Sequence, residues 1–222
     1  MVMIEQEKYL LNPTASSALS YWRTCHIEVP EGVHVISESD FDPEKFPNHQ
    51  DSVYFKMLHD LEKVGEVRIP ADLALSAGEV IDFVRHINSC YEDLGISLEE
   101  AESYMNREVY ESDLWICLRE RETNLIVASG IAECDKESGE GYLDWIQVSP
   151  DYRGRGLARA IVNELLQRLR DRANFVTVSG REDNLTRPDR LYERCGFKEK
   201  HLWHVLRGRG DHTAACTASQ NS

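Results

Sequence analysis

The sequence predicts an α+β domain in which a central, mostly antiparallel mixed sheet of about seven strands is flanked by helices. Three observations carry this. Strand-like runs at Leu114 to Arg119, Leu125 to Glu133 and Tyr142 to Val148 are separated by RETN and DKESGEG, turn-forming stretches that suit an antiparallel meander. Leu157, Ile161, Leu165 and Leu169 then recur every fourth residue, with Val162 and Leu166 beside them and polar residues opposite, as one face of a helix requires. A β-branched run at Phe175 to Val178, a short helix at Pro188 to Cys195 closed by Gly196, and an extended run from Phe197 to Leu206 complete the order.

The first half carries weaker signals. Tyr9 to Trp22 reads as a helix interrupted by Pro13. Val33 to Ile36 and Val53 to Leu58 read as strands on either side of a polar loop from Pro43 to Ser52. Val80, Ile81, Phe83, Val84 and Ile87 predict a helix behind a Ser76 cap with Glu79 three residues later, and Ser97 with Glu100 opens another. Residues 1–75 thus form an N-terminal extension, 76–206 the core and 207–222 a flexible tail, all within one structural domain.

At 222 residues and 41% apolar content the chain is long enough for its own core. The start MVMIEQEKYLL has glutamates where a signal peptide needs lysines, and no run of roughly eighteen apolar residues exists, so a soluble cytoplasmic protein is expected. The six cysteines are scattered without CxxC pairs or close histidines, which predicts reduced thiols and no metal site. A formal charge of −14 opposes nonspecific binding to nucleic acid or an anionic membrane and suits a cationic partner. Nothing in the sequence decides for or against a homodimer.

The chemistry concentrates in LDWIQVSPDYRGRGLARAIVNELL. A strand ends at Val148, turns, and enters a helix through Arg153, Gly154, Arg155, Gly156, Leu157 and Ala158. Two glycines before a helix leave backbone N–H groups bare at the positive end of its dipole, a cradle for a pyrophosphate. A dinucleotide fingerprint begun at Gly154 would need Gly or Ala at Arg159, and a phosphate-binding P-loop would need Lys-Ser/Thr; both fail. A second RGRG at Arg207 to Gly210 lacks a following helix and is set aside.

This stretch resembles the coenzyme A signature Q/R-x-x-G-x-G/A of the GNAT acetyltransferases, with Arg153 first, Gly156 fourth and Ala158 sixth. Downstream, Asn184, Leu191, Tyr192, Gly196 and Phe197 resemble the family's second half, and the likeness runs from about Leu114 to Leu206. The resemblance implies acetyl-CoA as acyl donor, held by the loop and by Ile146, Gln147 and Val148 on a strand that splays from its neighbour. It implies attack by a primary amine of a small molecule or peptide in a ternary complex, an oxyanion donor near Ile146 and Tyr192 as acid. Alternation places Tyr142, Asp144, Ile146 and Val148 on one face, which makes Asp144 the first candidate for the base, ahead of Glu133 and then Glu140. Trp145, Trp203 and His204 are read as core residues with a secondary claim on the substrate. The rival reading is a catalytically silent acyl-CoA binding sensor or assembly module.

Overall fold

A computed structural model describes residues 5–91 and 94–208. The meander from the middle of the sequence forms the centre of the fold. Strands β4 (Trp115–Glu120), β5 (Ile126–Asp135) and β6 (Glu140–Val148) pair antiparallel in succession. Helix α6 (Leu157–Leu169) leaves β6 and lies across the sheet, with Leu157, Ile161, Leu165 and Leu169 essentially inaccessible to solvent. It returns the chain to β7 (Phe175–Arg181), which pairs parallel with β6 as a right-handed crossover allows. Helix α7 (Pro188–Cys195) follows, closed by Gly196 in the left-handed conformation (φ 101°).

Eight strands form the sheet among the described residues, with β1 (Val33–Ser37), β2 (His49–His59), β3 (Leu73–Ser76) and β8 (Lys198–Gly208) completing the order β1-β8-β2-β7-β6-β5-β4-β3. One core lies between the sheet and α6 with α7. A second lies on the opposite face under α4 (Val80–Cys90) and α5 (Leu98–Met105).

The first half departs from its local signals in four places. Pro13 does not interrupt a helix but starts one: α1 (Gln6–Leu11) ends, Asn12 caps Ala15 N–H at 3.2 Å, and α2 (Pro13–Ser16) begins. A third helix, α3 (Tyr21–His26), runs four residues past Trp22. The polar stretch from Pro43 holds a 3-10 turn and then joins β2, because pairing with β8 from His49↔Gly208 onward supplies ladder partners that composition does not reveal. Ser76 caps no helix; it ends β3, an edge strand with no sequence signal, and α4 starts at Val80 behind Glu79. Ser97 does cap α5, its hydroxyl accepting Glu100 N–H at 3.0 Å.

The five described cysteines are free thiols. No helix among the described residues is long and apolar enough to cross a membrane. The flexible tail expected from residue 207 does not begin there, because Arg207 and Gly208 pair with β1 and β2 as the end of β8; the rest of it, with the far half of the second RGRG and Cys216, lies outside the described residues.

Candidate functional site

Between β6 and β7 the sheet comes apart. Their parallel register runs from Glu140↔Phe175 to Leu143↔Val178 and goes no further, so residues 144–148 continue beside a gap. A crevice of about 680 Å³ opens there, walled by Ile146, Gln147 and Val148 on one side and by Leu191, Arg190 and Arg194 of α7 on the other.

The glycine loop forms the crevice floor. Gly154 (φ 78°) and Gly156 (φ 79°) are both left-handed, and a Cβ at either would meet no atom within 4 Å. The room is therefore empty, and a side chain there would both strain the backbone and fill it. Among the described residues no backbone carbonyl accepts from the amides of residues 154–156. Gly156 caps α6 without any side-chain hydrogen bond, so the helix dipole faces the crevice unscreened. The two loop arginines divide: Arg153 lines the crevice, whereas Arg155 turns to Asp72, its Nη2 donating to both carboxylate oxygens at 2.8 and 2.7 Å. Asn184 does not line it; its carboxamide oxygen caps the turn before α7, taking Thr186 N–H at 2.9 Å.

Tyr192 is inaccessible to solvent, wedged between Phe55 and Phe197, and its hydroxyl has no hydrogen-bond partner among the described residues. Burial, reinforced by Tyr91, Cys195, Tyr142 and Asp144, pushes this phenol well above its ordinary range. It is a buried donor held protonated.

The expected alternation along β6 fails at one residue. Ser129 pairs with Gln147 but Ile131 pairs with Asp144, so Gly130 alone faces Trp145 and Ile146. This β-bulge puts Trp145 in the left-handed region at φ 43°, a strain of about 1–3 kcal/mol for a bulky residue. Its consequence is a phase shift. Tyr142, Asp144 and Trp145 face the α5 side, while Ile146 joins Leu143 and Val148 against α6. Gly130 must be bare for this packing: a Cβ would lie 2.4 Å from Ile161 and 2.9 Å from Ile146.

Both leading carboxylate candidates are paired. Asp144 is fully buried and receives Arg23 Nη2 of α3, and its other oxygen accepts Trp145 N–H at 3.1 Å. Glu133 takes Arg23 Nε at 2.8 Å and Arg107 at 2.6 Å. Burial raises the Glu133 carboxyl, but the two guanidinium groups outweigh it and hold it below the usual glutamate value. Arg23 is itself inaccessible, its guanidinium 4.7 Å from the centre of the Tyr142 ring, and its charge is secured by Asp144 and Glu133 against the cost of burial. Glu140 lies deeper, accepting from Tyr9, Thr177 and Tyr21 N–H, which fastens the N-terminal helices to the sheet.

His204 stands away from the crevice, bracketed by Asp51 and Glu38 at 2.7 Å each and stacked on Phe41, and Trp203 is buried with its indole bound to Thr14 O at 2.9 Å. His86 of α4, unnoticed in the sequence, bridges Ser129 at 2.8 Å and Ser149 at 3.0 Å, while Ser129 also receives the Gln147 carboxamide. Burial lowers its pKa to about 4, so the ring is neutral. Arg190 and Arg194 of α7 and Arg187 at its N-cap also went unnoticed, although their spacing of three and four residues could have marked them. Arg23, 121 residues from Asp144, carried no such signal.

A sequence model of the Acetyltransferase (GNAT) family matches residues 81–197, just over half of the chain. Among solved structures, a GCN5-related N-acetyltransferase from Sphaerobacter thermophilus superposes with a TM-score of 0.67 at 19% identity, over 78% of this chain and 58% of its own. An acetyltransferase from the GNAT family of Colwellia psychrerythraea gives 0.54 at 10% identity, over 78% and 64%. This chain thus spans less than two thirds of either protein, and at such identities the likeness is one of fold. A functionally unknown conserved protein from Staphylococcus epidermidis gives 0.57 at 11% identity, over 79% and 71%. No curated protein matches the chain.

Proposed function

The chain belongs to the GNAT acetyltransferase family, and from that premise we propose that it transfers an acetyl group from acetyl-CoA to a primary amine of a small molecule or peptide. One observation carries the reading. A bare glycine cradle and a strand edge released from β7 meet at one crevice, and Tyr192, next in the chain to the lining residue Leu191, is buried with a hydroxyl that has no partner among the described residues.

Each feature answers a need of the donor. The amides of residues 154–158 and Arg153 suit the diphosphate, with Arg187, Arg190 and Arg194 adding cationic donors around it. The edge of β6 from Ile146 to Val148 offers backbone groups to the amides of the pantetheine arm. An N–H near Ile146 would take the negative charge that develops on the thioester oxygen as the neutral amine attacks. The Tyr192 hydroxyl donates to the departing sulfur, and its raised pKa keeps that proton in place across the working range.

The acceptor side is more constrained than an acidic composition suggests. Asp144 and Glu133 are matched by Arg23 and Arg107, so an acceptor ammonium would have to displace a buried guanidinium to use either. That pairing favours a second reading, a silent acyl-CoA binding module, because it occupies both leading candidates for the base. Calorimetry with acetyl-CoA, followed by a thiol-release screen of amines, polyamines, aminoglycosides and peptides, separates the two. Binding with thiol release on one acceptor class supports transfer; binding without release across the whole panel supports the silent module; no binding defeats both.

A further inference from the structure

The N-terminal helices lie outside the stretch that matches the family, yet one of their side chains reaches the point where the sheet parts. Arg23 enters from α3 and takes Asp144 with Nη2 and Glu133 with Nε, the latter at 2.8 Å. Glu133 is fixed in turn by Arg107 at 2.6 Å, and Arg107 stacks 3.5 Å from the centre of the Tyr104 ring. Neither Arg23 nor Asp144 has any solvent exposure.

The remaining Asp144 oxygen is the informative one. It accepts the N–H of the very next residue, Trp145, at 3.1 Å. Trp145 is the left-handed residue of the β6 bulge, and a tryptophan adopts that conformation only where its surroundings impose it. A bulge takes a residue out of the ladder, so the Trp145 amide needs an acceptor elsewhere, and an ionised carboxylate is a strong one. A carboxylate buried without a counter-charge would be costly, and Arg23 removes that cost while fixing the direction of both oxygens.

We propose that Arg23 is a positioning residue for acyl transfer: through Asp144 it holds the Trp145 bulge, and the bulge turns the Ile146 segment of β6 into the gap beside β7. The inference rests on reading that gap as the acetyl-CoA site. It gives Asp144 a structural contact on each oxygen. The N-terminal segment is then part of the catalytic apparatus, although no motif marks it.

Infrared difference spectra of acetyl-CoA labelled with carbon-13 at the thioester carbonyl test this on the full chain. In the unmodified protein, binding moves the carbonyl band to lower frequency. In the paired variant R23L/D144L, which removes both charges together and leaves Glu133 with Arg107, that displacement is lost. Turnover falls about 100-fold, as on loss of an oxyanion donor, and the acetyl-CoA dissociation constant stays within about threefold because the glycine cradle is untouched. D144N keeps an oxygen for the Trp145 N–H, so it retains most of the band displacement and the shape of the pH–rate profile. R23K, whose single ammonium cannot span both carboxylates, falls between and serves as the test should the paired variant fail to fold.

A displaced band persisting in R23L/D144L, or a displacement in R23K as large as in the unmodified protein where that is the folded variant, overturns the inference and leaves the proposed function intact. So does loss of the acid limb of the pH–rate profile in D144N, which would make Asp144 the base. Failure of the unmodified protein to bind acetyl-CoA overturns both.

Discussion

The two sides of the parted strands are built on opposite principles. On the donor side the chain leaves things out among the described residues: side chains at Gly154 and Gly156, β7 partners for Ile146 to Val148 of β6, a partner for the Tyr192 hydroxyl. On the acceptor side it fills everything in, with Arg23, Asp144, Glu133 and Arg107 satisfying one another under the N-terminal helices. A ligand can be recognised by groups held bare, because their desolvation is already met by the fold. Groups that satisfy each other instead fix geometry. On the proposed reading the first side binds the donor and the second shapes the site, and each can be broken separately.

The largest effect should come from breaking the filled side. Arg23→Met leaves Asp144 buried without its counter-charge, and loss of one partner of a buried pair costs about 3–5 kcal/mol. Urea unfolding with an unchanged slope but a midpoint lowered in proportion would report it. A loss below about 1 kcal/mol would mean that water or another residue readily replaces the guanidinium, and the contrast between the sides would dissolve.

Gly156→Trp attacks the empty side. A tryptophan at φ 79° is strained and its indole occupies the cradle, which is open space in the folded protein. Acetyl-CoA affinity should fall by at least about 100-fold in calorimetry, about 3 kcal/mol, while far-UV circular dichroism remains unchanged. Undiminished affinity would place the diphosphate elsewhere.

How far each side was legible follows from the same contrast. The cradle is local: Arg153 to Ala158, the strand before it and the helix after it are contiguous, and so were read together from the sequence. The fold of the second half was legible for the same reason, since alternation in the meander and the four-residue stripe of α6 are short-range patterns. The ionic cluster is not local. Arg23 meets Glu133 110 residues away, and nothing in the run YWRTCH distinguishes it from a solvated arginine. The bulge was equally silent, because its left-handed residue is Trp145 where a glycine would have announced it. Strand alternation carried through it gave Asp144 the wrong company. Strand β3 escaped notice as a four-residue edge whose only ladder is to β4.

A third test sits where the sides meet. His86 ties α4 to Ser129 and Ser149 on the donor strand side as a neutral ring. The unfolded chain takes up a proton near pH 6.5, whereas burial lowers the folded value to about 4. Between those values the unfolded state binds more protons, so stability must rise with pH from 4 to 6.5 and fall as acid is added. The shift corresponds to about 3 kcal/mol across that window. His86→Gln removes this contribution, and its stability plotted against pH should be flatter there by roughly that amount. A parallel curve would show that the ring is already charged in the fold or has water beside it.

The smallest effect on stability sharpens the comparison most. Tyr192→Phe deletes one oxygen from a fully buried side chain between Phe55 and Phe197. Where a buried hydroxyl is hydrogen-bonded, that deletion strands its partner and costs about 1–3 kcal/mol. Here no described residue is left stranded, and the aromatic packing survives, so the midpoint of unfolding should change by less than about 0.5 kcal/mol or move upward. Turnover should nonetheless fall about 10- to 100-fold with the acetyl-CoA dissociation constant unchanged, since the hydroxyl contributes where charge gathers on sulfur and not where the donor is held. A stability loss above about 1 kcal/mol would show that the protein already uses this hydroxyl for itself. Tyr192 would then belong with the filled side, and the donor side would have to find its acid elsewhere.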